Sequence, residues 1–131
     1  MAEISLKRPF ILSIVLIGWD ASLPSVQTQI HIESKGFDST LELNFNSIWF
    51  VSSSFDQFTS SLLNDQTALL MDMDRMLTIQ VASPSEGLEL TINHKKYYSD
   101  DRWVNTELAA KLDQDSLANL KEQFKNLPKW W

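Results

Sequence analysis

A chain of 131 residues with 44% hydrophobic and 21% charged side chains suits one globular domain, residues 1–131, and excludes a disordered segment. The absence of cysteine excludes disulfides, thiolate metal centres and a cysteine nucleophile, and fits a reducing, cytoplasmic setting. A formal net charge of −6 disfavours nucleic acid and anionic membrane as partners, because both select a basic footprint.

Lys7 and Arg8 precede an apolar run from Phe10 to Ile17, which has the outline of an export signal. Glu3 lies in the would-be basic region, and the bulky Trp19 occupies the outer position of the candidate cleavage site ending at Ala21. The run is also far short of the ~20 residues needed to cross a bilayer. It is read as a strand from Phe10 to Trp19, covered on both faces or central in its sheet.

Strict alternation follows. Val26, Thr28, Ile30 and Ile32 share one face, and Gln27, Gln29, His31 and Glu33 share the other, the mark of a half-buried strand. Ser34-Lys35-Gly36 supplies a turn into a second alternating run, with Phe37, Leu41, Leu43 and Phe45 inward and Asp38, Thr40, Glu42 and Asn44 outward. Ile48 to Val51 is read as a further short strand. A helix is expected next, with Ser54 and Gln57 forming a capping box and Phe55, Phe58, Leu62 and Leu63 on the inward face. Asn64-Asp65 ends it.

Strands are then expected at Thr67–Met71 and Met76–Ala82, around a turn at Asp72-Met73-Asp74-Arg75. A loop at Ser83-Pro84-Ser85-Glu86-Gly87 leads into a strand through Leu88, Leu90 and Ile92. A charged, aromatic loop from His94 to Arg102 precedes a strand from Trp103 to Leu112. The final helix has Asp113 and Asp115 at its start, Leu117, Leu120, Phe124 and Leu127 inward, Lys121 and Lys125 near its end, and Pro128 as its stop. The fold class is therefore α+β, a mostly antiparallel sheet of seven or eight strands with one helix mid-chain and one at the C-terminal end.

Catalytic patterns are sparse. His31 and His94 are far apart, and no serine sits in a nucleophile elbow. Three glycines leave no phosphate-cradling loop. Asp72-Met73-Asp74 and Asp100-Asp101 resemble cation-binding pairs, but Arg75 stands where a calcium loop would continue, and aspartate is at home in turns. No enzyme activity, cofactor or metal is expected.

The charge distribution says more than its sum. No basic residue lies between Lys35 and Arg75, while Asp38, Glu42, Asp56, Asp65, Asp72 and Asp74 all fall in that window. Such a stretch is either a solvated surface that aids solubility or a negative patch steering a basic partner. Tyr97, Tyr98, Trp103, Trp130 and Trp131 are aromatic candidates, either for partner contact or for packing, with Trp103 in the core and the tail folded over the sheet.

The order of elements adds a likeness. Strands lead into Ile48-Trp49-Phe50-Val51-Ser52, a helix carrying Phe55, Phe58 and Leu62 follows, and Asp113-Gln114-Asp115-Ser116-Leu117 opens the last helix. From Val26 to Leu127 this resembles the small bacterial immunity proteins that protect against wall-associated, tRNA-cleaving polymorphic toxins. Gly87-Leu88-Glu89-Leu90 stands where such proteins often have a glycine-led strand. The resemblance implies a non-catalytic inhibitor that occludes a toxin's active site, with no catalytic residues to carry over. A nuclease toxin must be basic to grip nucleic acid, so an acidic inhibitor can engage the same surface. The candidate partner-binding residues are accordingly Asp38, Glu42, Asp56, Asp65, Asp72, Asp74, Tyr97 and Tyr98, and the partner a basic toxin domain. The competing expectations are a protein that self-associates through a strand edge or its aromatic tail, and a small-ligand-binding domain.

Overall fold

Two consecutive β-meanders, each closed by a helix, make up the chain. The computed structural model describes residues 2–83, 87–128 and 131. The first half runs β1 (Ala2–Leu6), β2 (Ile11–Asp20), β3 (Ser25–Lys35), β4 (Thr40–Val51) and α1 (Ser52–Leu63). The second half repeats the order with β5 (Ala68–Met71), β6 (Leu77–Ala82), β7 (Glu89–Tyr97), β8 (Trp103–Lys111) and α2 (Gln114–Lys125). The α+β class with a mid-chain and a C-terminal helix is as expected, and the eight strands divide into two antiparallel sheets, β1-β2-β3-β4 and β5-β6-β7-β8.

The core follows from period-two alternation in both sheets. Leu12, Ile14 and Leu16 of β2 and Val26, Thr28, Ile30 and Ile32 of β3 are buried. Across from them lie Leu70 of β5, Ile79 and Val81 of β6, and Leu90 and Ile92 of β7. These side chains join Phe50, Phe55, Phe58 and Phe124 in one hydrophobic cluster that runs through both halves. The hydroxyl of Thr28 is satisfied there by donating to the Ile48 carbonyl at 2.9 Å.

Helix packing ties the halves together. α1 lies against β3, β4 and β5, whereas α2, from the second half, packs on β1 of the first. The helices meet through Phe124, whose ring centroid is 4.8 Å from that of Phe58 and 6.4 Å from that of Phe55. Gln123 of α2 also treats β1 as a strand neighbour would. Its Oε1 accepts from Ser5 N at 2.7 Å and its Nε2 donates to Ser5 O at 2.7 Å. The outer edge of the first sheet is thus covered by a side-chain amide.

Several sequence expectations are corrected. β1 went unread, although Ala2, Ile4 and Leu6 alternate with Glu3 and Ser5; Ile4 and Leu6 are fully buried. β4 is one long strand rather than two, because a bulge between Thr28 and Ile30 keeps it paired with β3. Phe37 is in the β3–β4 turn and fully exposed, not inward. The Ser54–Gln57 capping box does not form. α1 begins three residues earlier, directly from β4, with Val51 in the cap position and no side-chain cap. Ser52 N donates instead to Pro24 O at 2.9 Å, so the ladder itself anchors the first turn. Leu63 faces out. β7 continues through His94 to Tyr97, leaving a tighter turn than the expected loop. The middle of the expected 83–87 loop, at 84–86, lies outside the described residues.

Candidate functional site

The six acidic candidates are spread over several elements of the first half and the β5–β6 turn. Asp38 stands in the β3–β4 turn, and Glu42, just beyond it on β4, accepts from Asn44 Nδ2 at 3.0 Å. Asp56 on α1 accepts from Trp131 Nε1 at 3.2 Å. Asp65 ends α1 with a positive φ of 57° and pairs with Lys121 Nζ of α2 at 2.6 Å. Each of the last two therefore serves contacts inside the molecule.

Asp72 is buried and builds the β5–β6 turn. Its Oδ1 accepts from Met76 N at 2.8 Å and Leu77 N at 2.9 Å, while its carbonyl accepts from Arg75 N at 3.2 Å. Arg75 takes a φ of 57° to close the turn. An aspartate whose carboxylate holds backbone amides inside a turn needs no metal to explain it. Among the described residues no group of three or more His, Asp or Glu side chains is placed to hold a metal ion.

That turn delivers its next two residues to a groove. Met73 N donates to Trp49 O at 2.8 Å, fastening the β5–β6 turn to the edge of β4. The β2–β3 turn closes the other side, giving an open groove of about 270 Å³ lined by Asp20, Leu23, Ser25, Trp49, Met73 and Asp74. Leu23 is 57% exposed and Asp74 is exposed at the rim. Asp20 is fixed by its own turn: Oδ1 accepts from Ser22 Oγ at 2.8 Å, Ser22 N at 3.0 Å and Leu23 N at 3.4 Å. The Ser22 side chain, then the two backbone amides, hold its carboxyl below the ordinary value of 3.8, so it is charged at neutral pH. A thioether and an indole flanked by two carboxylates favour a cation carried on an apolar stem, the chemistry of an arginine or lysine side chain.

Of the predicted acids, Asp74 alone lines this groove. Asp38 and Glu42 lie toward the other end of β4, since Trp49 is seven positions beyond Glu42, roughly 23 Å at the rise of a strand. Sequence reading missed Asp20, Leu23, Trp49 and Met73 as a group. Trp49 was placed correctly on a strand, but nothing local shows that this strand is an edge meeting a turn from the other half.

Tyr97 and Tyr98 occupy a second surface, at the tip of the β7–β8 hairpin, and are 62% and 42% exposed. Two cations approach the Tyr98 ring, Lys96 Nζ at 5.4 Å and the Arg102 guanidinium at 5.3 Å from its centroid. Arg102 Nε also bonds Asp100 Oδ2 at 2.6 Å, which holds the Asp100 carboxyl below its ordinary value. Trp103 is 60% exposed and not in the core, because it pairs with Tyr97 at the turn end of the hairpin. Trp131 does fold back, its ring 5.9 Å from Phe55. Trp130 lies outside the described residues.

The histidines have structural partners. His31 Nδ1 is 2.6 Å from Asn44 Oδ1, and His94 packs edge-on to Phe45 at 4.6 Å between the sheets. Desolvation lowers the His94 pKa from 6.5, opposed by Asp72 and reinforced by Lys96. No family model, curated protein or solved structure matches this chain. Among the described residues, no helix is long and apolar enough to cross a membrane.

Proposed function

We propose that this chain is a non-catalytic binding protein of the immunity type, which neutralises a secreted bacterial toxin by covering a basic surface of it. The observation that carries the reading is the groove at Trp49, where an apolar floor lies between the Asp20 and Asp74 carboxylates. A net charge of −6 adds long-range attraction toward a cationic enzyme, and the groove offers a seat for one of its basic side chains on arrival. The likeness to immunity proteins in the order of strands and helices supports the same direction. The protein would act from the cytoplasm, by occlusion and without a cofactor.

The experiment pairs this chain with the toxin domain encoded in the adjacent reading frame. Co-expression is expected to rescue growth, and association measured by biolayer interferometry is expected to slow at least tenfold between low and physiological salt. Asp20→Asn with Asp74→Asn should slow association and flatten that salt dependence. An adjacent frame without a basic toxin domain, or binding indifferent to salt and to both substitutions, would overturn the reading.

A further inference from the structure

The edges of the two sheets are treated unequally. β1 is bonded at Ser5 by Gln123, β5 lies against α1, and β4 is tied to the Met73 turn through the single bond at Trp49. β8 has its partner β7 on one side, and among the described residues no backbone hydrogen bond leaves its other side.

The ladder identifies which groups that edge presents. Tyr98 N donates to Arg102 O at 2.7 Å, and Leu112 N donates to Leu88 O at 2.9 Å, so the hydrogen-bonded pairs between β7 and β8 fall on even-numbered residues of β8. The N–H and C=O groups of Trp103, Asn105, Glu107, Ala109 and Lys111 consequently point outward. The side chains of these same residues are all exposed. An unpaired edge of nine residues is a template for another strand.

We infer that the free edge of β8 pairs antiparallel with β8 of a second copy, about a two-fold axis at Thr106. Side-chain complementarity selects this occupant and this register. With Thr106 opposite itself, Asn105 faces Glu107 of the other copy, Trp103 faces Ala109, and Val104 faces Leu108. Lys111 then falls against the acidic Asp100–Asp101 turn, and every contact off the axis occurs twice. An axis at Glu107 would set two carboxylates directly opposite each other. An axis at Asn105 would carry Lys111 past the acidic turn. Pairing at Thr106 also covers Trp103 and Val104, which are 60% and 51% exposed, and joins two four-stranded sheets into one of eight. This inference is independent of the groove at Trp49, none of whose lining residues lies on β8.

Sedimentation velocity from low micromolar to near-millimolar concentration tests it, with the full chain. A reversible dimer is expected. Asn105→Pro should weaken it at least tenfold while leaving the circular dichroism spectrum and melting curve intact, because the lost N–H points away from β7. Lys111→Glu should weaken it too. The chain has no cysteine, so Thr106→Cys reports the register directly: mild oxidation should give a disulfide-linked dimer faster than Glu107→Cys does. A monomer at all concentrations without crosslinking, a dimer untouched by Asn105→Pro, or preferential crosslinking through Glu107→Cys would overturn the proposal. If Asn105→Pro unfolds the chain, the Thr106→Cys and Glu107→Cys comparison decides alone.

Discussion

Asp72 and Asp74 are two residues apart and both acidic, yet their positions give them different work. The first is buried with its carboxylate oxygen on two backbone amides, and the second is exposed at the rim of a groove. Asp72→Ala leaves those amides without their acceptor and is expected to cost about 2 kcal/mol, in the range for lost hydrogen bonds to a charged group. Because the same turn carries Met73 to Trp49, the groove should loosen along with the fold. Asp74→Ala should leave stability unchanged within about 0.5 kcal/mol, as is usual for surface sites. Chemical denaturation of the two variants measures the contrast, and equal losses would refute the division of roles. Composition marks both as turn residues; which carboxylate turns inward depends on the hairpin closing around it.

Among the elements, the two helices begin by different means. α1 grows straight out of β4 and has no side-chain cap, whereas α2 starts at Asp113, whose Oδ1 accepts from Ser116 N at 2.7 Å. The Ser116 backbone amide, then its side chain, hold the Asp113 carboxyl below its ordinary 3.8. A carboxyl whose folded pKa is depressed contributes stability above its unfolded value and loses that contribution as the pH falls through the folded one. Asp113→Ala should therefore lower the melting temperature at neutral pH, and the difference from the unsubstituted chain should shrink as the medium becomes more acid than pH 4. Thermal melts at neutral and acid pH check this; a gap that persists in acid would show that the cap is not electrostatic. The Asp113 start was legible because an N-cap is a local signal. The Ser54 box was equally plausible locally, but the bond from Ser52 N to Pro24 O starts the helix first. A ladder contact with a residue 28 positions away outweighs a cap three residues long.

Over the whole molecule, repetition coexists with exchange. Each half is a four-stranded meander and a helix, but α2 crosses to seal β1 and to stack Phe124 on Phe58 and Phe55. The halves therefore share a core. Phe124→Ala is expected to cost about 3–4 kcal/mol, as for other buried phenylalanines. Far-UV circular dichroism and tryptophan fluorescence should still report one coincident transition. Separate transitions for the two halves would contradict a common core.

Alternating hydrophobicity by itself determined most of the strands after β1, the two helices and most of the buried faces, because side-chain direction in a strand or helix is a local, periodic property. Val26, Thr28, Ile30 and Ile32 could be assigned to one buried face without knowing what covers them. The division into two sheets, the helix that closes the opposite half and the edge left open on β8 were decided only in three dimensions. So was the site. The acids crowded between Lys35 and Arg75 were divided among two turns, β4, and α1 with its C-terminal end, while Asp20 and Asp74, 54 positions apart, came to flank Trp49. Nearness in sequence sets charge density along the chain; nearness in space depends on long-range strand pairing and shared burial, which no short window of residues encodes.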